Sequence, residues 1–544
     1  MKRKFCLFVT LLLIATFVVS CGSSSGSSGG SSNNNTSQGS SSGSTGSNPT
    51  PTSPAANISV TSVPDTLIVA QRGEPVLIDP QNQTEQSTTF ACIQMYEPLV
   101  SLNVNTGEYV PWLAESWERI DDLTLRFHLR QDVYFHNGEK MTANDVKFTL
   151  MRGKASTKKA WLFRPFDAEG STVIDEYTID IKTEEPFAAI LSFLANNGSL
   201  IVSQKAVESA DSVDAYGRAP DGGTGPWKFK SWVAGDNVTY DRFDQYWGEK
   251  PAFATMILRN ITDDNTRALS LESGDIDLCV DVAPSQIGSI NASGIAEVHR
   301  VPNYVMSYIC FNIVSGPLSD VRVRQALRYA MDLDSMVDVA YPGVGTPADG
   351  VYPSSITCHT DSPPELTYTY DLDKAKMLMD EAGYADGFSI NFWTNENQSR
   401  IDMGEMLQNA WAKINVKVNV EVMEFAALLE LLDEGKHDSF MMGWVLGGDD
   451  GDFIYDLFYS TLGYQQNRAQ YKNPRYDELA TLGRTTFDPE LRQQYYAEIQ
   501  DILRRDLPMI PVQFGEATYG LRNTLTGVEL QPETNTRVAF IRPK

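Results

Sequence analysis

The chain has 544 residues and a formal net charge of -26 at pH 7, because 70 acidic side chains outnumber 44 basic ones. An acidic body repels nucleic acid and anionic lipid surfaces, so we expect neither as a binding partner of the folded part. The hydrophobic content of 42% is ordinary for a soluble globular protein, and the length is sufficient for two or more lobes.

Residues 1–20 have the layout of a secretory signal. Basic residues at positions 2–4 precede an apolar run from Phe5 to Val19, which is shorter than the roughly 20 residues of a membrane-spanning helix. The tetrapeptide Val18-Val19-Ser20-Cys21 resembles the lipobox of bacterial lipoproteins, which implies that Cys21 is lipidated and anchors the protein to a membrane. The alternatives are an ordinary signal peptide and a short membrane span with an incidental cysteine.

Residues 21–60 continue as a low-complexity segment. From Gly22 to Asn57 nearly every residue is Ser, Gly, Asn, Thr or Pro, and no charged residue occurs between Lys4 and Asp65. Such a segment cannot bury a core and behaves as a flexible coil with an end-to-end distance on the order of 30 Å. We therefore predict a tether between the anchor and a folded body that begins near Thr61. A low-complexity terminus without a role is the alternative.

The first half of the folded body is predicted to be rich in strands. Apolar and polar residues alternate over 123–130 and again over 177–181, which is the period-two pattern of half-buried strands. The Asn137-Gly138 pair predicts a turn, and residues 144–151 favour a helix.

The second half alternates between helices and strands. Residues 320–331 place their apolar side chains on one helical face, with Ser319 or Asp320 as N-cap. Strands are predicted over 388–392, 416–422 and 440–444, and helices over about 402–413 and 425–434 lie between them. This order predicts parallel strands with right-handed crossovers, the core of an open α/β sheet.

Charged residues of both signs follow two of these strands. Ligands of open α/β sheets bind outside the carboxyl ends of the strands, where Arg400 and the acidic residues Asp449 and Asp450 are predicted to lie. A guanidinium grips a carboxylate and an aspartate pairs with an ammonium group, so together they suit a zwitterion. An internally paired or solvated Arg400, and a polar turn or calcium loop at 447–452, are the alternatives. Trp444 is either a core residue or a wall of the ligand site.

No catalytic or metal-binding constellation is visible. The HExxH and GxxxxGK[ST] motifs are absent, and GxSxG at 22–26 lies in the tether, without a strand-to-helix turn. Four cysteines outside the signal and anchor allow three full pairings, which the sequence does not rank. They have no zinc-finger spacing, so we expect no metal and no cofactor. These cysteines are Cys92, Cys279, Cys310 and Cys358.

Ten blocks in the right order resemble solute-binding proteins of the oligopeptide and dipeptide importer family, extracellular solute-binding protein family 5. The resemblance covers nearly everything from about Thr61 to Lys544. The blocks are Leu113–Trp117, 125–146, Gly223–Trp227, Tyr246–Gly248, Asp264–Asp277, Phe311-Asn312 with Asp320–Leu327, Tyr370–Gly383, Gly443-Trp444, Tyr471–Leu479 and Asp506–Val512.

The resemblance implies a two-lobe periplasmic-binding-protein-like α/β fold (type II, cluster C) with an extra β-rich subdomain in the first lobe. Lobe 1 is expected over 61–309, lobe 2 over 310–512, and a return to lobe 1 over 513–544. Similar proteins cross between lobes near Tyr308–Ile313 and Ile510–Phe514, and they close on their ligand by hinge motion.

The family also implies roles for single residues. In peptide-binding members an aspartate after the GlyTrp strand binds the peptide amino terminus, and Asp449 looks like its counterpart. Asp450 stays an alternative because this sequence carries two more residues after Trp444. Arg400 is the counterpart of an arginine that binds the peptide carboxylate in dipeptide-binding members. Gly443, Trp444 and Tyr96 are expected to line the cleft.

The resemblance implies a function without catalysis. We expect a monomeric, extracytoplasmic lipoprotein that captures short peptides and delivers them to the permease of an ABC importer. Relatives of the family that bind metal chelates, haem, sugars or opines supply the alternative ligands. A peptide-sensing receptor and a secreted hydrolase of peptides or glycans are alternatives of other classes.

Overall fold

A computed structural model describes residues 65–529, 531–532 and 536–544. The described residues belong to one compact unit, Ser62–Lys544. The predictions of a signal over 1–20, lipidation at Cys21 and a tether over 21–60 lie outside the described residues. In the part of the chain that the structure describes, no helix is long and apolar enough to cross a membrane.

Strands and helices are interspersed along the whole described chain. The strands are β1 (Thr66–Gln71), β2 (Val100–Asn103), β3 (Glu108–Pro111), β4 (Ala114–Asp121), β5 (Thr124–Leu129), β6 (Phe166–Asp175), β7 (Thr178–Thr183), β8 (Trp227–Val233), β9 (Asn237–Arg242), β10 (Thr255–Asn260), β11 (Leu278–Val280), β12 (Ala296–Phe311), β13 (Thr346–Pro347), β14 (Phe388–Asn395), β15 (Val416–Met423), β16 (Ser439–Val445), β17 (Met509–Arg522), β18 (Leu525–Thr526) and β19 (Arg542–Pro543). The α-helices are α1 (Gln86–Met95), α2 (Ala143–Ala155), α3 (Ala160–Phe163), α4 (Ile190–Ala195), α5 (Gln204–Ser209), α6 (Val213–Arg218), α7 (Asp264–Ser273), α8 (Pro284–Ser293), α9 (Val321–Tyr329), α10 (Leu333–Ala340), α11 (Leu372–Glu381), α12 (Gln398–Ala412), α13 (Phe425–Asp433), α14 (Tyr455–Phe458), α15 (Pro474–Thr485) and α16 (Pro489–Asp506).

The largest sheet has 11 strands and is centred on two long strands, β12 and β17. Its order is β15-β14-β16-β12-β17-β11-β1-β10-β9-β8, with β13 paired to β17. β12 and β17 pair antiparallel, and their register shifts between Pro302 and Met306 and again between Ser307 and Tyr308. The segments expected to connect the lobes therefore coincide with the central pair, although β12 ends at Phe311. The lobe boundaries themselves stay a prediction.

The predicted parallel strands of the second half are confirmed. β14 pairs in parallel with β15 on one side and with β16 on the other, and helices α12 and α13 connect them. α12 begins at Gln398, earlier than predicted, because the Asn397 side chain caps it by accepting from the Arg400 backbone N–H at 3.2 Å. Arg400 therefore lies in the first turn of a helix, and the acidic loop follows the end of β16.

The predicted strands of the first half are also confirmed. They are β5 and β7, which lie in a separate four-stranded antiparallel sheet of order β4-β5-β7-β6. Gly138 has a φ of +87°, as the predicted turn requires. The helix predicted over 144–151 is α2, which begins with a capping box between Thr142 and Asp145. This sheet is the β-rich region that the sequence predicted.

All four cysteines of the described chain are buried free thiols. The sequence left three pairings open, and the structure contains none of them among its described residues. Burial raises the pKa of the Cys279 and Cys358 thiols to about 11 and that of Cys310 to about 12. These thiols are protonated at neutral pH and pack as small apolar groups.

Candidate ligand-binding site

A cavity of about 610 Å³ lies between the β2–β3 hairpin, helix α4, the loop after β16 and residues 528–529, 531–532 and 537. Its volume is within the range of small-molecule sites. It combines apolar walls with three acidic or basic side chains, those of Asp449, Glu529 and Arg537. The side chains that carry the argument are Tyr109, Trp112, Ser192, Tyr304, Asp449, Glu529 and Arg537.

Asp449 is a buried carboxylate without a cationic partner among the described residues. Its side chain is 4% exposed, and Oδ1 accepts hydrogen bonds from the Tyr109 hydroxyl and from Ser192 Oγ, the latter at 3.1 Å. Burial raises the pKa of Asp449 above its ordinary value. A ligand ammonium group would supply the opposite charge that the protein does not provide.

The other two carboxylates of this loop are neutralised within the protein. Arg492 donates to both oxygens of Asp450 at 2.8 and 3.0 Å, and Arg484 donates to both oxygens of Asp452 at 2.8 and 2.6 Å. Asp450 Oδ1 also accepts from the backbone N–H of Asp452 at 2.8 Å, which starts the 3-10 turn Gly451–Ile454. Asp450 is therefore already paired within the protein. Of the two predicted aspartates, only Asp449 faces the cavity.

Arg400 does not line this cavity. Its guanidinium donates to Asn395 Oδ1 at 2.6 Å and has no carboxylate partner among the described residues. It lies over Gly443, where an added Cβ would come within 2.9 Å of Arg400 Nη2. Gly443 is paired with Ser307 of β12, and neither residue lines the Asp449 cavity. The structure therefore does not bring Arg400 into the cavity that Asp449 faces.

Trp444 and Tyr96 also lie outside the Asp449 cavity. Trp444 lines a smaller cavity of about 310 Å³ together with Trp161 and Phe453. Tyr96 is a core residue: its side chain is buried, and its hydroxyl is 2.9 Å from that of Tyr216. Of the predicted site residues, only Asp449 lines this cavity.

Three cavity residues were missed by the sequence analysis. Tyr109, Ser192 and Arg537 come from three distant segments, and none belongs to a motif. Arg537 Nη1 donates to the carbonyl of Ile93, at the end of α1, at 3.2 Å, and its guanidinium lies 5.3 Å from the centre of the Trp112 ring. Among the described residues that line the cavity, it is the only Lys or Arg. No periodic signal in the sequence marks these side chains.

Glu97, next to Tyr96, holds one wall of the cavity in place. This fully buried carboxylate accepts from the indole N–H groups of Trp112 at 2.9 Å and Trp247 at 3.0 Å. It also accepts from the hydroxyls of Thr224 and Tyr246, each at 2.8 Å. Four donors replace the water that the carboxylate lost on burial, and they fix Trp112 against the cavity.

The described residues contain no group of three His, Cys, Asp or Glu side chains arranged to hold a metal ion. The cavity lining offers hydrogen-bonding groups, charged groups and apolar walls for contact with a ligand.

Residues 108–466 match the family of bacterial extracellular solute-binding proteins, family 5. The chain belongs to this family, whose members are solute-binding proteins of ABC transporters and not enzymes. Its fold is the mixed α/β fold of type II periplasmic binding proteins.

Individual relatives differ in what their names say they bind. The chain is 28% identical to the dipeptide-binding protein of Escherichia coli over 86% of this chain and 92% of the relative. It is 30% identical to heme-binding protein A of Haemophilus influenzae, over 77% of this chain and 81% of the relative. The structure of DppA from Helicobacter pylori in complex with the peptide STSA matches with a TM-score of 0.75 and 25% identity, over 88% of this chain and 98% of that one.

Replacing Arg492 by Met is expected to destabilise the protein by about 3–5 kcal/mol, because Asp450 would remain as an unpaired buried carboxylate. The free energy of unfolding from urea denaturation measures this change. Arg475→Met is the matched control, since Arg475 pairs with Glu498 at 2.7 Å on the exposed surface and its loss should have little effect. Equal unfolding free energies for the two variants would contradict a stabilising role of the buried Asp450–Arg492 ion pair.

Proposed function

We propose that this protein captures short peptides outside the cytoplasm and delivers them to the permease of an ABC importer. The observation that carries the proposal is Asp449, the one carboxylate of its loop that has no cation and faces a cavity. A peptide ammonium group would compensate the cost of burying this charge, which explains why the protein leaves it unpaired. The dipeptide-binding relative and the peptide complex of a structural neighbour support the ligand class.

Arg537 is the partner we propose for the peptide carboxylate. It lines the same cavity as Asp449, so a zwitterion inside the cavity meets opposite charges at two of its walls. Arg400 does not line this cavity and so does not meet this condition. Glu529 lies near Arg537, and partial burial raises the pKa of its carboxyl group while the charge of Arg537 acts in the opposite direction.

The proposed closure involves the two predicted lobes. Asp449 belongs to lobe 2 (310–512), whereas Tyr109 and Ser192, which donate to it, belong to lobe 1 (61–309). A ligand held between these groups contacts both lobes at once and so stabilises the closed arrangement by its difference in affinity. We place the hinge at the register shifts of β12 and β17, between Pro302 and Tyr308. Lipidation at Cys21 and the tether over 21–60 complete the proposal, with a monomer as the working unit.

Native mass spectrometry of the protein as purified tests the ligand class. We expect several co-purified masses that fit short peptides and disappear after unfolding and refolding. A single mass that fits haem, a metal chelate, a sugar or an opine would refute the peptide assignment and leave the family assignment unchanged. An empty protein that binds nothing from a peptide library would refute it as well.

Asp449→Asn is expected to weaken peptide binding by roughly thirtyfold or more, since removing one partner of a buried charge pair costs about 2–5 kcal/mol. The asparagine oxygen still accepts from Tyr109 and Ser192, so the fold is preserved. Titration calorimetry with a di- or tripeptide and its N-acetylated form measures the effect. Acetylation should weaken binding to the original protein but not to the variant. The exposed Asp386→Asn is the control, and unchanged affinity in Asp449→Asn would contradict the model.

Arg537→Met is expected to weaken peptide binding by roughly tenfold or more, whereas Arg400→Met should leave it nearly unchanged. Each variant removes one guanidinium and keeps most of the side-chain volume. Comparison of a peptide with its C-terminal amide separates a carboxylate contact from a packing effect. The reverse result, a loss in Arg400→Met alone, would return the carboxylate site to the residue that the family resemblance indicated.

A further inference from the structure

A second enclosed cavity lies within the predicted second lobe, away from Asp449. It has a volume of about 350 Å³ and is bounded by α9, α10, the end of α16 and the first residues of β17. The walls are mainly apolar or aromatic, with Met331, Leu333, Leu503, Met509, Tyr368 and Tyr370 among them. None of its lining residues belongs to the Asp449 cavity.

Arg328 brings a buried positive charge to this cavity. Its side chain, at the end of α9, is 8% exposed, and Nη1 makes one long hydrogen bond of 3.5 Å to the carbonyl of Met331. The other guanidinium N–H groups have no acceptor among the described residues, and no described carboxylate lies within ion-pair distance. The Tyr368 ring is 5.9 Å away. Burial lowers the pKa of Arg328 to about 10, so the group is still charged at neutral pH.

The other arginine of the cavity is already used by the protein. Arg504 donates to the carbonyls of Asp349 and Thr360 and to Asp501 Oδ1, the first and last at 3.3 Å. It shapes the wall formed by residues 349–360. Of the two arginines that line this cavity, Arg328 is therefore the one whose guanidinium N–H donors are available to a ligand.

The acidic residues around the cavity restrict the charge of that ligand. Asp332 accepts from the Ser335 hydroxyl at 2.8 Å and Asp349 accepts from the Ser362 backbone N–H at 3.3 Å, so both are engaged elsewhere. Their negative charges, with that of Asp334, oppose a dianion such as phosphate. A single carboxylate on Arg328 meets less repulsion.

We propose that this cavity is a second ligand site, which binds small monocarboxylates with an aryl or alkyl body. The carboxylate would take up the free guanidinium donors of Arg328, and the body would fill the apolar walls. A buried cation without a partner is costly, and an anionic ligand removes that cost. This site is independent of the proposed peptide site.

Titration calorimetry of the purified protein with 3-phenylpropionate, benzoate and hexanoate tests the proposal. We expect saturable binding of at least one of them, and binding at least about tenfold weaker for the matching neutral amide. Arg328→Met should reduce carboxylate binding by a similar factor, whereas Arg475→Met should not. Absence of saturable binding for all three acids, or equal binding of acid and amide, would overturn the proposal.

Two further measurements keep the result interpretable. Arg328→Met removes an unpaired buried charge, so its urea midpoint should be equal to or higher than that of the original protein. Peptide binding should persist in Arg328→Met, and 3-phenylpropionate binding should persist in Asp449→Asn. Loss of both ligands in either variant would show that the two cavities are not independent and would overturn the inference.

Discussion

The antiparallel pairing of β12 with β17 is the contact on which the rest of the large sheet depends. These two strands lie between the parallel group β14, β15 and β16 and the group β11, β1, β10, β9 and β8. In the large sheet the two groups are connected only through the β12–β17 ladder. The pairing is regular up to Pro302 and resumes at Met306 with a shifted register. Register shifts of this kind bend a strand locally, which is the physical reason for proposing the hinge at this position. The position of the Asp449 loop follows from the same pairing, since β16 is aligned directly along β12.

Charge compensation distinguishes the residues that serve the fold from those available to a ligand. Asp450 and Asp452 each accept two hydrogen bonds from one arginine, and Glu97 accepts hydrogen bonds from four neutral side chains. Asp449 and Arg328 are the contrasting cases, because each is a buried ionisable side chain that forms no ion pair with a described residue. Burial of a charge is expensive, so an uncompensated one marks a position where a partner from outside is expected. The same physical criterion thus points to both cavities, with opposite signs of ligand charge.

The sequence predicted the fold better than the site. The sequence shows strong period-two alternation at β5, β7, β14 and β15 and an apolar face on α9. Both patterns arise because one side of each element is buried, and this can be read from the local sequence alone. The position of Asp449 followed from the family blocks and from its place after a strand. The cavity around it did not, because Tyr109, Ser192 and Arg537 are brought together only by the tertiary fold. The expectation that Arg400 would join Asp449 rested on both residues following strands of one sheet. That reasoning could not show that the Arg400 side chain, in the first turn of α12, extends over Gly443 instead of into the Asp449 cavity.

The central position of β17 also constrains the order in which the protein can fold. β12 is synthesised long before β17, and its partner residues, such as Arg522 opposite Ala296, lie close to the end of the chain. Until Met509–Arg522 has emerged, the two strand groups of the large sheet have no connecting ladder, and β12 exposes an unpaired edge. A nascent chain therefore cannot complete the large sheet before β17 has been synthesised, and one edge of β12 stays unpaired until then. Removal of Met509–Arg522 should for this reason disrupt the whole sheet, because the contact between its two strand groups would be lost.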